Sequence, residues 1–470
     1  MKLTALLAFV AMPALAATVA TVTPGDWPLY RGSTIVARYA TEAACVDAAK
    51  ALGVARTYTC RTTDTVVVSI VADTPPPPPV EPPPAVAGAV FADILSGPAG
   101  VPLTVCTTAP IASVTIAGQP ANVLATGASL NSRNDCWRVS LAAGALAVNG
   151  IAGPSIAVTN GVIRQANPST IGAALLAVNV GDVIVLDAGS YPGNYRFLTR
   201  GGFALTSAVG AKVTINGVGG ADEVHAGQSP NIVLSNIYFT GRNASDGCPV
   251  NLQNGANGWR VVNNDLTWPN APSGAKCAGL AGNGSNVSVL GNNVHDVTGG
   301  TENHGLYFDG RGPYEVAYNS VTGVTGGNLF QTYDAWSTVG ISGVSLHDNY
   351  LANGGRYGLN FSEQTVSVEA FRNTIENTAL AGVRFNVDGS FAVDFKIHDN
   401  TLKSVNTKGS GSSHGAVNCD WQMTKGAALI SNNAVNAGAG ATDYYEEYGN
   451  CPILKFSGNT WSGLAGKAGP

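Results

Sequence analysis

The chain has few charged residues and no block of one sign. Charged residues make up 12% of its 470 positions, and 25 Lys and Arg against 30 Asp and Glu give a net charge of −5. Nucleic-acid-binding proteins need a basic patch to neutralise phosphates, and no run of Lys or Arg is present to form one. P-loop and dinucleotide-binding motifs are also missing. The composition therefore argues against a nucleic-acid partner.

Long apolar runs are missing beyond the first residues. Lys2 is followed by the apolar run LTALLAFVAM and then by Ala-Leu-Ala at 14–16, a pattern that predicts a secretory signal over residues 1–16. An apolar run this short does not span the roughly 30 Å of membrane hydrocarbon, and no second run of about 20 apolar residues follows. We therefore expect a secreted or periplasmic protein without membrane insertion.

No CxxC motif occurs among the eight cysteines, which argues against thiolate metal sites. The cysteines instead form four pairs that are local in sequence, as disulfides in an exported protein would. Eight cysteines allow 105 connectivities, so the pairing by proximity is a prediction. The predicted pairs are Cys45 with Cys60, Cys106 with Cys136, Cys248 with Cys277, and Cys419 with Cys451.

Glycine is abundant, with 58 residues, and an asparagine recurs in one local context through the second half of the chain. Fixed periods of this kind mark repeat proteins. Steps of 24 to 33 residues separate Asn236, Asn264, Asn293, Asn319, Asn349, Asn373, Asn400, Asn433 and Asn459.

Each repeat has the pattern strand, Asn, strand, Gly-rich turn. Asparagine tolerates the left-handed backbone that a sharp corner requires, and its amide can both donate and accept. Coils stacked about 4.8 Å apart would bring these amides into a ladder. Apolar residues alternate on both sides of each asparagine, so the sequence predicts parallel strands around a narrow core.

Composition changes divide the chain into five predicted segments. Residues 1–16 are the signal, 17–73 a small domain with one disulfide, and 74–88 a Pro-rich linker with the extended conformation of polyproline II. Residues 89–160 contain short alternating runs broken by Gly, Pro and Asn, which favour a small β-sandwich. Residues 161–470 form the repeat region.

The repeat region opens with PSTIGAALLAVNVGDVIVLDAGSYPGNYRFL, a short helix capped by Ser169 or Thr170 and followed by a strand. This opening resembles that of secreted right-handed parallel β-helix proteins of the pectate-lyase-like superfamily, which include polysaccharide lyases and mannuronan epimerases. The resemblance covers roughly the last 300 residues and implies an all-β solenoid whose core is capped by the helix. The residues that carry it are Ile171, Ala174, Leu175, Gly181, Asp182, Ile184, Leu186, Gly189 and Tyr191.

The strands that follow the Gly-rich turns carry polar side chains in phase with the repeat. Alternation places Leu306, Phe330 and Leu359 inward. One outward row then contains Tyr307, Gln331, Asn360 and Arg384, and a second contains Asp309, Tyr333, Ser362 and Asn386. Acidic residues end the same strands at Asp334, Glu363, Asp388 and Asp420. Rings and planar amides in register favour a polysaccharide lying along the solenoid axis.

We predict a lyase that cleaves a uronate-containing polysaccharide by β-elimination, which needs a base, an acid and neutralisation of the sugar carboxylate. His304 belongs to Glu302-Asn303-His304-Gly305-Leu306-Tyr307, which resembles the HG-hydrophobic-Tyr segment of β-helix polysaccharide enzymes. The predicted catalytic residues are His304, Tyr307 and Arg384, with a hydrogen-bonded structural His304 as the alternative. The predicted substrate-binding residues are Gln331, Tyr333, Asn360, Arg356 and Asn386. The predicted ligands of a Ca²⁺ ion are Asp309, Asp334, Glu363 and Asp388, and the alternative is that Arg384 and Gln331 bind the sugar carboxylate without metal.

Two other functions remain open from the sequence. One is a non-catalytic adhesin or glycan-binding protein, and the other is a uronan epimerase. A serine hydrolase is not expected, because Gly411-Ser412-Ser413-His414-Gly415 lacks the strand-to-helix elbow that its motif requires. We expect a monomer. The mildly negative net charge means that an acidic polymer would have to be attracted locally.

Overall fold

The computed structural model describes residues 88–470 except 194, 197–200, 217–223, 226–228, 242–247, 253–255, 270, 272–277, 335–338 and 410–413, together with five short strands before residue 88. The chain divides into two units, residues 1–85 and 86–470. In the first unit one sheet pairs Val19–Thr21 with Thr65–Val67, and a second has the order Thr34–Tyr39, Trp27–Arg31, Tyr58–Cys60. The predicted signal, the Pro-rich linker and Cys45 lie outside the described residues.

The second unit begins with two small sheets that share a buried core, including Leu103, Val105 and Val139. The five-stranded sheet has the order Gln119–Pro120, Val114–Ile116, Gly144–Val148, Ile151–Thr159, Ser96–Pro98, and the four-stranded sheet has the order Val123–Ala125, Asp135–Ser140, Pro102–Thr107, Val90–Ala92. The predicted Cys106–Cys136 disulfide is confirmed and joins two neighbouring strands.

The remainder of this unit is a parallel β-solenoid, as predicted, made of three long sheets. Sheet A contains the strands Ile163–Ala166, Val183–Leu186, Ala204–Ser207, Val233–Ser235, Arg260–Val262, Val287–Leu290, Tyr314–Ala317, Val344–His347, Ser367–Phe371, Val393–His398, Gly426–Ser431 and Leu454–Ser457. Sheet B contains Gly189–Pro192, Val213–Asn216, Tyr238–Thr240, Asp265–Trp268, Asn293–Val297, Ser320–Val324, Tyr350–Gly354, Thr374–Thr378, Thr401–Val405, Ala434–Ala437 and Thr460–Ser462. Sheet C contains Tyr195–Arg196, Val224–His225, Val250–Leu252, Ala278–Gly282, His304–Phe308, Phe330–Asp334, Leu359–Glu363, Val383–Val387, Gly415–Cys419 and Asp443–Glu447.

One continuous apolar core runs through the coils. Every second residue of each strand points inward, and Phe308, Phe330, Phe361 and Phe385 pack ring against ring from coil to coil. The helix Ile171–Ala177 packs Ile171 into the first coils of this core. Its N-cap is Thr170, as predicted, but the Thr170 side chain makes no capping hydrogen bond. Among the described residues no helix is long and apolar enough to cross a membrane.

The asparagine ladder is present at the corner between sheets A and B, with two corrections. Each ladder amide donates to its neighbour in the next coil and to a backbone carbonyl, as Asn319 does to Asn349 and Val289. The rung predicted at Asn293 is Asn292, because Asn264 donates to the Asn292 carboxamide. Asn236 is not a rung, since its amide donates to Asp93, Thr104 and Thr206.

The left-handed residue at each corner is the one before the ladder asparagine. Asn263, Tyr318, Asp348 and Arg372 have φ between 51° and 61°, and each directly precedes a rung. The prediction that the ladder residue itself takes the left-handed conformation was therefore wrong. Its amide is needed for hydrogen bonding along the stack, and the preceding residue makes the bend.

The two small sheets pack on the outer face of sheet A. Their core includes Val183 and Val185, outward residues of an early sheet A strand. The buried Asp93 carboxylate accepts from Ser235 and Asn236, and the Arg260 guanidinium donates to the Ala92 carbonyl. These contacts hold residues 90–159 against the solenoid as part of one compact unit.

The second half of the chain contains further disulfide-bonded cysteines. The predicted Cys419–Cys451 pair is confirmed. Cys248 is also disulfide-bonded, while its predicted partner Cys277 lies outside the described residues.

Candidate functional site

Four neighbouring strands of sheet C place two columns of polar side chains on the outer face of the solenoid. The first column is Tyr307, Gln331, Asn360 and Arg384, which pair in this order in the parallel register. In the second column Tyr333 pairs with Ser362 and Ser362 with Asn386. Each step along a column advances one coil, about 4.8 Å, and the two columns lie about 7 Å apart along the strand. The register confirms the first predicted column and, in the second, Tyr333, Ser362 and Asn386.

A cavity of about 550 Å³ opens over these columns. Nine of the predicted site residues line it: His304, Tyr307, Asp309, Gln331, Tyr333, Arg356, Asn360, Arg384 and Asn386. Ala281, Gly282, Thr301, Glu302 and Ser362 complete the lining. Asp334, Glu363 and Asp388 are not among the lining residues. Glu302 had no assigned role in the sequence analysis, although it lies only two positions before His304.

The first column is joined by a chain of side-chain hydrogen bonds. The Gln331 carbonyl oxygen accepts from the amides of Asn328 and Asn360, the latter at 2.9 Å. The Asn360 oxygen in turn accepts from Arg384 Nη1 at 3.4 Å. Because its oxygen is occupied, Gln331 presents its NH₂ group as a donor to the cavity.

His304 is a neutral hydrogen-bond donor in this arrangement. The ring is buried, with 5% of its surface exposed, and its Nδ1 accepts from the backbone N–H of Asn328 at 3.1 Å. Burial, reinforced by the positive charge of Arg356, lowers the pKa of His304 to about 3. With Nδ1 as the acceptor, the proton of the neutral ring lies on Nε2. An Nε2–H group can donate to a substrate but cannot remove a proton, which argues against His304 as the base.

Tyr307 is held as a protonated phenol. Its ring stacks on His304 with the centroids 5.7 Å apart. Burial raises the pKa of Tyr307 well above its ordinary value, and the nearby Asp309 raises it further because an anionic phenolate would be repelled. Tyr307 can therefore supply a proton and is poorly suited to accept one.

Two arginines flank the same buried ring at one side of the cavity. The guanidinium carbons of Arg384 and Arg356 lie 4.7 Å and 5.5 Å from the centroid of Tyr357. Arg384 Nε also donates to Asp420 at 2.6 Å, so part of its charge is already compensated. Within the described part of the chain, Arg356 has no carboxylate at ion-pair distance. Arg356 is therefore the better placed cation for an acidic sugar, and Arg384 is too firmly paired to act as a base.

Asp309 has a pKa near neutrality. Burial is the main cause, and the negative charge of Asp334 on the next coil adds to it, so that the pKa of Asp309 rises to about 7. A carboxyl group with such a pKa can exchange protons at physiological pH. Asp309 was predicted from its sequence position to be a calcium ligand. Its surroundings are better suited to proton transfer.

The four predicted calcium ligands do not converge on one point. Asp309, Asp334, Glu363 and Asp388 belong to successive coils, so the first and last lie about 14 Å apart along the axis, whereas oxygen ligands surround Ca²⁺ at about 2.4 Å. Asp388 is also engaged locally, because its carboxylate accepts from the Ser390 backbone N–H. In the described ranges no three acidic, His or Cys side chains are placed to hold a metal ion. The four acids therefore do not fit one shared ion.

Comparisons with known proteins give structural similarity without sequence similarity. No protein-family model matches the chain, and a search of curated proteins finds no match. Among solved structures, the chain is similar to an alginate lyase from Paenibacillus sp. str. FPU-7, with 15% identity and a TM-score of 0.32 over 64% of this chain and 99% of that one. It is also similar to a family 28 exopolygalacturonase of Yersinia enterocolitica, with 10% identity and a TM-score of 0.35 over 80% and 99% of the two chains. A third similar structure is pectate lyase Pel9A, with 14% identity and a TM-score of 0.28 over 66% and 82%.

Proposed function

We propose that this protein is an enzyme that cleaves a uronate-containing polysaccharide by β-elimination. The observation that carries the proposal is the pairing, in one cavity, of a donor-rich cationic side with a carboxyl group of near-neutral pKa. The donors are His304, Gln331 and Arg356, and the carboxyl group is Asp309. β-Elimination needs both, because the sugar carboxylate must be neutralised before its neighbouring C–H can lose a proton.

The sugar carboxylate is bound by the donor side. His304 Nε2–H and the Gln331 NH₂ group are neutral donors, and Arg356 adds a positive charge. Neutralising the carboxylate stabilises the negative charge that develops when the adjacent C5–H bond breaks. The columns follow the solenoid axis, so the polymer lies across successive coils with one sugar ring in the cavity.

Proton transfer is assigned to Asp309 and Tyr307. The Asp309 carboxylate takes the proton from C5 and the electron pair of that bond forms the C4=C5 double bond. The bond between C4 and the glycosidic oxygen breaks, and the Tyr307 O–H gives its proton to the leaving oxygen. Tyr307 is suited to this role because burial keeps it protonated. Water then returns the proton of Asp309 to solvent and reprotonates Tyr307.

An enzyme is favoured over the adhesin alternative by convergence. His304, Tyr307 and Asp309 of one coil line the same cavity as Arg384, which lies three coils further on, whereas an extended binding surface needs no group of near-neutral pKa. An epimerase would use the same base and return the proton to the opposite face without breaking the glycosidic bond.

Hydrolysis is the second candidate, supported by a pair of carboxyl groups. Asp309 and Glu302 both line the cavity, and hydrolases pair an acid of raised pKa with a second carboxylate. In that case Asp309 would act as the acid, and its proton would be needed for activity.

One experiment separates these possibilities. The protein is incubated with polymers that contain galacturonate, mannuronate, guluronate or glucuronate. Three quantities are then measured: the ultraviolet absorbance of a new double bond, the number of reducing ends, and the sugar configuration by NMR. A lyase increases both absorbance and reducing ends, a hydrolase only reducing ends, and an epimerase neither. Asp309→Asn should lower the rate about 10²-fold to 10⁴-fold. Asp394→Asn, an exposed carboxylate on sheet A, serves as the matched control. No change on any polymer would refute the proposed function.

We further propose that the protein acts outside the cytoplasm. The Cys106–Cys136 and Cys419–Cys451 disulfides are compatible with an oxidising compartment, and the apolar segment at residues 1–16 provides the export signal. Detection of the protein in culture supernatant or periplasm, cleaved before Ala17, would test this.

A further inference from the structure

The two polar columns of sheet C continue beyond the cavity toward the C-terminal coils. In the first column, Arg384 pairs with Asn418 and Asn418 with Glu446. In the second, the residues after the paired Cys419 and Glu447 are Asp420 and Tyr448. The two columns therefore continue in register for two more coils, about 10 Å past Arg384, although Asn418 itself is buried.

Two exposed aromatic side chains lie on this extension. Of the large hydrophobic side chains that are exposed in the described ranges, two are aromatic, Trp421 at 45% and Tyr448 at 49% exposure. They belong to adjacent coils and to the corresponding turns that follow the strands Gly415–Cys419 and Asp443–Glu447. Trp421 directly follows Asp420, whose carboxylate pairs at 2.6 Å with Arg384, a residue of the cavity lining. Exposed aromatic rings can stack on an apolar face of a ligand.

The two turns that carry the aromatic pair are joined to each other. The Tyr448 N–H donates to the Cys419 carbonyl at 2.9 Å, and the Asn450 N–H donates to the Trp421 carbonyl at 2.9 Å. The Cys419–Cys451 disulfide joins the same two coils. Gly449 allows this close approach, because a Cβ at that position would lie 1.5 Å from the Trp421 carbonyl oxygen. A preorganised surface binds a ligand without the entropy cost of ordering a loop.

The charges around the aromatic pair are acidic. Glu446 accepts from the backbone N–H of Gly415, and Glu447 accepts from that of Cys451, so both carboxylates are held close to the turn. Within the described residues neither forms an ion pair with Lys or Arg. A sugar carboxylate would be repelled here, whereas the C–H face of a neutral sugar can stack on the rings.

We propose that Trp421 and Tyr448 form a distal subsite that stacks a neutral sugar residue of the polymer whose uronate occupies the cavity. The subsite rests on the proposed function and narrows its substrate class to heteropolysaccharides in which uronate and neutral sugars are combined. Homopolymers of uronate occupy the cavity without using this subsite.

The test measures dissociation constants in the Asp309→Asn background, so that the polymer is not cleaved. Trp421→Ala with Tyr448→Ala should weaken binding of a uronate–neutral-sugar heteropolymer about 10-fold, the loss expected for two stacked rings. Binding of a homopolyuronate should change less than about twofold. Trp421→Phe should restore most of the heteropolymer affinity. The matched control is Leu429→Ala, an exposed apolar residue at 40% exposure on sheet A.

The outcomes separate the subsite from the proposed function. If the Trp421→Ala, Tyr448→Ala variant binds the heteropolymer as tightly as before and the wild type still cleaves it, the distal subsite is wrong and the proposed function stands. An equal loss for homopolymer and heteropolymer overturns the assignment to a neutral sugar. If no uronate polymer binds to the Asp309→Asn protein, both the proposed function and the subsite are wrong. Thermal denaturation of each variant verifies folding.

Discussion

The pH dependence of activity is the most direct test of Asp309 as the base. Burial and the charge of Asp334 raise the pKa of Asp309 to about 7. A base must be ionised to act, so kcat/KM should rise with pH and level off above about pH 7. Two units below the pKa only about 1% of the group is ionised, so at about pH 5 kcat/KM should be roughly 100-fold below its plateau. An ordinary Asp, with a pKa near 3.9, would be about 90% ionised there.

Removing the neighbouring charge should move the profile. In Asp334→Asn the repulsion that disfavours ionised Asp309 is lost, so the pKa of Asp309 falls and the rise in activity should occur at lower pH. Asp394→Asn removes an exposed carboxylate from sheet A and should leave the profile in place. Initial rates are measured from about pH 5 to about pH 9 by the absorbance of the new double bond, at substrate concentrations far below KM.

Two results would refute this reasoning. A profile that falls as pH rises through 7 would mean that the proton of Asp309 is required, as in hydrolysis. A profile that does not move in Asp334→Asn would mean that another group controls the pH dependence. In the second case the geometry of the cavity would stand, but the assignment of the base to Asp309 would not.

Four further predictions concern stability, substrate binding and metal. Asn319→Ala removes four ladder hydrogen bonds and should lower the free energy of unfolding, measured by denaturant titration, by about 4 kcal/mol. Asn459→Ala, at the last and partly exposed rung, should lower it by less. Equal losses for the two variants would contradict a cooperative ladder. His304→Ala should raise KM and leave the pH profile of activity unchanged, because the His304 ring acts as a hydrogen-bond donor. A shifted pH profile would instead indicate that His304 is the base. Because the pKa of Asp309 is raised, the wild type should lose stability as pH rises through about 7. Asp309→Asn should therefore raise Tm more above pH 7 than near pH 5. Differential scanning calorimetry at these two pH values tests the sign of that difference. Chelator treatment should leave the rate unchanged, because the four predicted acids do not share an ion; loss of activity that Ca²⁺ restores would contradict this.

Much of the solenoid could be predicted from repeated short patterns. The alternation of apolar and polar residues determines which side chains of a strand point inward, and the repeat period determines which strands become neighbours. These two rules placed Tyr307, Gln331, Asn360 and Arg384 in one column, although as many as 77 residues separate them. The same rules could not choose between Asn292 and Asn293, because both fit a period that varies by several residues.

The protonation states could not be predicted in this way. His304 is a donor because the backbone N–H of Asn328, one coil away, occupies its Nδ1. The pKa of Asp309 lies near neutrality because the group is half-buried and close to Asp334, which belongs to the next coil. Both effects depend on distances of a few ångströms and on exclusion of water, and neither leaves a mark in residue spacing.

The sequence by itself determined the parallel solenoid, the amide ladder and the two polar columns, because these follow from a period of two within strands and a recurring period between coils. Only the tertiary structure decided what the columns can do. Stacking the coils brought Arg356, Gln331, His304 and the half-buried Asp309 into the lining of one cavity, with three of the four predicted calcium ligands outside that lining. Hydrogen-bond partners and burial set the charge and the proton of each group, and those are properties of the assembled coils.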